Sequence, residues 1–221
     1  VTPASDTRVR LIEVAEQLFA ERGIHAVSLR EIASAAGQRN TSAVAYHFGT
    51  KQALVEAVYQ HRMAPTSERQ LRQLEQLDAE GRGKDLRALV ELLVHSMAER
   101  LDSPERPSRF LRFVVNALYV EEIAPYDLAA QEWTHGIALI RARIEQGMSA
   151  LSLSPRVRAN RWEFFVGLVL HTLAQRERLL DTCAGRSGTT RRKLPSQSLL
   201  VADLVDSALA LLTAESFPTI R

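Results

Sequence analysis

The chain has 221 residues, 46% of them hydrophobic and 24% charged, a balance that supports a sizeable core in one large domain or two smaller ones. Its 28 Lys and Arg nearly cancel 26 Asp and Glu, and the net charge of +2 excludes a chain-wide attraction to nucleic acid, so any such footprint must be local. Cys183 is the only cysteine, which excludes an intrachain disulfide and a cysteine-based zinc site, and no apolar run approaches the about 20 residues of a membrane span.

The apolar pattern is helical nearly throughout, and alternating runs bounded by glycine-rich turns are missing, so the expected fold is all-α. After a short polar arm, Val9, Ile12, Ala15, Leu18 and Phe19 form one stripe, ended by Gly23. Ser28 can cap a second helix while Glu31, three residues on, reaches back to close a capping box. That helix turns Ile32 and Ala33 inward and stops at Ala36-Gly37. A short third helix is expected over 41–46, and Gly49-Thr50 opens a fourth that carries Leu54, Val58 and Tyr59.

Pro65 is expected to kink or split the fourth helix, because proline lacks the interior donor. Helical spacing resumes with Leu71, Leu74 and Leu77 and breaks at Gly81-Arg82-Gly83. Further helices are expected at about 85–101, 108–120 and 126–151. Ser154-Pro155 reads as a cap followed by a proline in the first turn, opening a long helix through Trp162, Phe165, Val169 and Leu173. The mixed Gly, Ser, Thr and basic stretch 184–193 reads as a mobile loop, and a last helix covers about 195–213. The N-terminus shows no basic region followed by an apolar core, so the chain is expected to be soluble and cytoplasmic.

A division follows into a small N-terminal unit, residues 1–60, and a larger helical domain, 61–221. Two short helices joined by an Ala-Gly turn and packed on a first make a three-helix helix-turn-helix, which presents its second short helix to the major groove. The local composition suits that task. Between Glu31 and Glu56 there is no acidic residue over 24 positions, which removes charges that phosphates would repel.

Arg39 suits guanine O6 and N7 or a phosphate, and Asn40 suits the edge of adenine. Thr41 and Ser42 are short enough to touch base edges or backbone at close approach. Tyr46, His47 and Lys51, with Ser28, are placed for phosphates, aided by the amides that open the fourth helix. Ala43, Val44 and Phe48 read as packing residues. The bland alternative is a polar turn in a helical bundle.

The stretch from Arg8 to Tyr59, and above all SLREIASAAGQRNTSAVAYHFGTKQALVEAVY, resembles the tetracycline-repressor (TetR) family of bacterial regulators. The matching features are the cap at Ser28, Ile32-Ala33, Ala36-Gly37, Tyr46-His47-Phe48-Gly49, Thr50-Lys51 and Leu54. By motif the likeness covers about a quarter of the chain, and the remainder agrees in length and helical character only. The resemblance implies a homodimer that binds a palindromic operator and is released by a small-molecule effector. It also implies phosphate contacts at Tyr46, His47 and Lys51 and base contacts from Arg39 to Ala43. One departure stands out: ten residues separate Gly37 from Phe48, one more than the common family pattern, which lengthens the turn near 38–40.

Trp162, Phe165, Val169 and Leu173 share one helical face, and Leu200, Leu204, Ala208 and Leu211 another. Such faces are core or interface, and the resemblance favours a four-helix dimer interface about a two-fold axis, with half-sites about 34–36 Å apart. The middle helices are expected to enclose a small, mostly apolar effector, with His95, Met97, Asn116, Tyr119, Trp133 and His135 as candidate lining residues. Glu132 and His135 match the Glu-x-x-His pattern of di-iron bundles, but Glu91 and His95 have the wrong spacing for the required second pair. No nucleophile elbow, phosphate loop or zinc-protease pattern is present, so no catalytic residue, metal or cofactor is expected. The remaining alternative is a helical partner-binding module that never touches DNA.

Overall fold

The computed structural model describes residues 3–38, 40, 42–102, 108–120, 131–184 and 194–215. Among these, nine α-helices and no strand are found. They are α1 (Pro3–Arg22), α2 (Leu29–Ala35), α3 (Ala43–Phe48), α4 (Lys51–Ala79), α5 (Leu86–Ala98), α6 (Phe110–Ala117), α7 (His135–Ser149), α8 (Pro155–Ala184) and α9 (Gln197–Thr213). Short 3-10 turns cover Glu99–Asp102 and Glu132–Thr134. No helix of the described residues is long and apolar enough to cross a membrane.

The helix boundaries follow local chemistry. Ser28 accepts from the Glu31 amide while the Glu31 carboxylate accepts from the Ser28 amide, the reciprocal box that starts α2. Gly37, at φ 74°, lets the chain leave α2 left-handed, with its own amide on Ser34 and the Gln38 amide on Ala33. Asp85 caps α5 through the Ala88 amide, Ser154 receives the Val157 amide ahead of Pro155, and Ser196 receives the Leu199 amide at the start of α9. The third helix begins two residues later than its expected start, with Ser42 in the cap position.

Pro65 does not split α4, which runs as one helix of 29 residues. Thr66 donates its hydroxyl back to the Arg62 carbonyl in the turn around it. The helix expected over 126–151 is a 3-10 turn followed by α7, and 126–130 lie outside the described residues. So does the expected loop, apart from the backbone of Ala184 at the end of α8.

Two compact units divide the chain, and α4 contributes to both. The first comprises Val1–Thr66 with Ser108–Thr134, the second Ser67–Pro107 with His135–Arg221. In the first unit, Leu11, Ile12, Ala15 and Phe19 of α1 meet Ile32, Ala33, Val44, Leu54, Val55 and Val58 in one core. Phe110, Phe113 and Ala117 of α6 belong to the same core, with Phe113 against Phe19 and Tyr59. A boundary placed near residue 60 omits this helix. Sixty residues is a marginal size for an independent core, and α6 supplies aromatic surface the first four helices lack.

The second unit is built around α5, which buries eight of its residues between α7, α8 and α9. Polar clasps join its helices. Arg143 of α7 holds Asp78 of α4 bidentately at 2.6 and 2.7 Å, and Arg87 of α5 reaches Asp206 of α9 at 2.7 Å. At the start of α7, Gly136 packs so closely on α4 that its amide donates to the Ser67 hydroxyl at 2.8 Å.

Candidate nucleic-acid interface

The α2–turn–α3 segment exposes one face and buries the other. Val44 is fully buried in the first unit's core, whereas Asn40, Ser42, Ala45 and Tyr46 face solvent. Tyr46 is 85% exposed, an unusual state for a large aromatic side chain, and its ring meets that of the half-buried His47 edge-on at 5.2 Å. Helix α4 follows at once: Thr50 accepts from the Ala53 amide at 3.1 Å, so its free first-turn amides open beside the end of α3.

The turn before α3 is held locally. The Asn40 side-chain oxygen accepts from the Ser42 amide at 2.9 Å, an Asx turn that leaves the Asn40 amide nitrogen for other partners. Arg39 and Thr41 lie outside the described residues. Ser42 is exposed, at the cap of α3, with no side-chain capping bond. Ser28 is engaged in its capping box, and the Lys51 ammonium donates to the Ile24 carbonyl at 3.0 Å, tying α4 to the loop after α1.

Electrostatically the face is free of carboxylates from Ile32 to Val55. Glu31, at its edge, is held by the Ser28 backbone amide, the Ser28 hydroxyl and Arg22, which together lower its pKa from 4.5 to about 2. Arg8 was not among the expected residues, although its guanidinium lies 5.1 Å over the ring of Phe48, the last residue of α3. Its position on α1 gave no local sign of that contact.

The expected effector residues are divided between the two units. Asn116, Tyr119 and Trp133 belong to the first unit and His95, Met97 and His135 to the second. His95, His135 and Tyr119 stand exposed, and the Asn116 amide is engaged by the carbonyls that end α1. Met97 and Trp133 are half-buried, Trp133 stacked on Tyr59. Glu132 lies in a 3-10 turn and His135 begins the next helix. No group of three potential metal ligands occurs among the described residues.

The expected interface residues are for the most part covered within the single chain. Trp162, Phe165, Val169, Leu173, Leu204 and Ala208 are at most 5% exposed within the single chain, and Leu200 and Leu211 are half-buried. The six buried side chains belong to the interior of the second unit, in which α5 lies against both α8 and α9. What α8 and α9 leave open is Phe164 and Leu199, each 62% exposed.

Residues 11–58 match the family of bacterial regulatory proteins described as the tetR family. The chain is 40% identical over 62 residues to the HTH-type transcriptional repressor KstR2 of Rhodococcus jostii (strain RHA1), covering 25% of this chain and 30% of that protein. It is 32% identical over 104 residues to the HTH-type transcriptional regulator AcrR of Shigella flexneri, covering 47% of this chain and 46% of that protein. The chain thus spans less than half the length of either curated relative. Among solved structures, it is similar to NalD of Pseudomonas aeruginosa, described as the secondary repressor of the MexAB-OprM multidrug efflux pump. The TM-score is 0.61 at 20% identity, with 96% of this chain and 100% of that one covered. A TetR family regulator from Marinobacter aquaeolei VT8 gives 0.59 at 18% identity, with 92% and 95% covered. At these identities the likeness is one of fold.

Proposed function

We propose that the chain, whose residues 11–58 match the tetR family of bacterial regulatory proteins, is a cytoplasmic, homodimeric repressor that holds a palindromic operator through α3 and is released by a small-molecule effector. The family is one of regulators and not of enzymes. One observation carries the reading: Tyr46 stands 85% exposed on a helix whose opposite face is buried, inside an acid-free stretch. A hydroxyl-bearing aromatic in that setting suits the phosphate backbone, where most protein–DNA hydrogen bonds are made.

Tyr46, His47 and the amides at the start of α4 then orient α3 on the backbone. Ser42 and the Asn40 amide nitrogen are left to meet base edges, with Arg39 and Thr41 beside them in the chain. Lys51 and Ser28 also fix the geometry of the motif through their local bonds, so their phosphate roles are combined with structural ones. Dimerisation uses the face of α8 and α9 around Phe164 and Leu199, and places two α3 helices about 34–36 Å apart on one side of the duplex. The repressor assignment follows KstR2 and NalD, both described as repressors.

The test is selection of bound duplexes from random DNA, with the mass of the free protein read by light scattering. A monomer in solution, or retention of DNA that is insensitive to salt, would sink this reading.

A further inference from the structure

A cleft of about 310 Å³ lies in the first unit, against the side of α4 that carries Ala53, Glu56, Ala57 and Gln60. These positions fall at i, i+3, i+4 and i+7, so one helical face makes its floor. Gln131, Glu132 and Trp133 provide a second wall, and Arg8 of α1 completes the lining. Trp133 is held in place by stacking on the buried ring of Tyr59, with centroids 6.3 Å apart and planes 18° from parallel.

The charges of the cleft are unevenly matched. Arg8 directs its guanidinium over Phe48 at 5.1 Å. Glu56 has the Gln52 amide as its neighbour at 3.3 Å, Glu132 is exposed in its 3-10 turn, and among the described residues no basic group is bridged to either carboxylate. Two carboxylates without a basic partner, two side-chain amides and an indole make an environment that favours a positive charge attached to a flat or aliphatic body.

We propose that this cleft is a binding site for a small organic amine, its ammonium group meeting Glu56 and Glu132 and its hydrocarbon lying against Trp133, Ala53 and Ala57. The volume is at the lower end of small-molecule sites and matches a ligand of roughly ten non-hydrogen atoms. Arg8 lines the cleft and also covers the end of α3, so a bound cation repels the guanidinium and loosens its hold on Phe48. That consequence for operator binding rests on the regulator reading, whereas the binding itself does not.

The experiment is calorimetric titration of the full chain, without DNA, with phenethylamine, phenylalanine and phenylacetate, which share a ring and differ in charge. Phenethylamine is expected to bind most tightly and phenylacetate not at all. Glu132→Gln and Glu56→Gln are each expected to weaken phenethylamine about tenfold, the worth of one charge-assisted hydrogen bond. Glu75→Gln, on the exposed surface of α4 away from the cleft, should leave it unchanged. The inference is overturned by absence of heat with phenethylamine through the millimolar range, by tighter binding of phenylalanine or phenylacetate, or by undiminished affinity in both Gln variants. Loss of DNA retention alone would overturn the regulator reading and leave this result standing.

Discussion

The side-chain amide of Asn116 donates to the carbonyl oxygens of Phe19 and Ala20, at 2.8 and 3.2 Å, across nearly a hundred residues of chain. These carbonyls lie in the last turn of α1; the Phe19 carbonyl also accepts from the Gly23 amide at 2.9 Å, and α6 adds a distant cap to both. Asn116→Ala should cost about 1–2 kcal/mol in urea unfolding, the range for stranding partly buried acceptors. If Asn116 instead faced a ligand, stability would hold and only effector response would change.

Glu16 is buried at 4% side-chain exposure and is held by both Nε and Nη2 of Arg62. Arg62→Ala leaves that carboxylate without its cation and should destabilise the protein by about 3–5 kcal/mol. The double change Glu16→Leu with Arg62→Met should recover much of the loss, because neither charge is then buried alone. Denaturant midpoints of the three proteins decide the matter; a double variant no better than Arg62→Ala would count against the pair.

The Glu31 carboxyl titrates near 2 when folded and near 4.5 otherwise, so its stabilisation is present above pH 4.5 and disappears as pH falls toward 2. The chain should therefore melt higher than Glu31→Gln above that window, and the two melting temperatures should converge below it. A gap that stays constant across the window would show that the capping box does not depend on the charge.

Tyr46 makes little contact with the rest of the fold, being 85% exposed, so Tyr46→Ala should leave the melting temperature unchanged. Under the regulator reading it weakens DNA retention about tenfold and similarly for all sequences, as expected for a backbone contact. Lys51→Ala should lower both quantities, because the same ammonium holds the Ile24 carbonyl. Equal DNA retention by the wild-type chain and Tyr46→Ala would remove Tyr46 from the interface.

A methyl group on Gly136 would stand 2.7 Å from the Ser67 carbonyl oxygen and within 3.0 Å of two Gln70 atoms. The carbonyl belongs to the backbone of α4 and cannot swing aside, so Gly136→Ala should destabilise by about 1–3 kcal/mol. Thermal unfolding of this one variant tests whether α7 approaches α4 as closely as described.

The helix-turn-helix was legible because its signals are local. Ser28 with Glu31, Ala36 with Gly37, and Thr50 ahead of Lys51 each act through groups within a few residues, and all three turn or cap as expected. The start of α3 was misread by two residues, since Asn40, Thr41 and Ser42 are all competent caps and local chemistry alone does not rank them. At Pro65 the local rule allows a kink or a break, and the helix is not broken there.

By itself the sequence determined the helical class, most helix ends and the acid-free face, because periodicity, caps and charge are written along the chain. Only the tertiary structure decided which apolar faces are already covered. The stripe from Trp162 to Leu173 has the same appearance whether it meets α5 or a second chain, and here it is buried within one chain, leaving Phe164 and Leu199 outside. Only the tertiary structure, likewise, brought α6 into the N-terminal core, put Asn116 on the end of α1 and set Arg8 over Phe48. Each of these contacts joins residues distant in sequence, and burial is a property of the neighbours a side chain finds, not of its own chemistry.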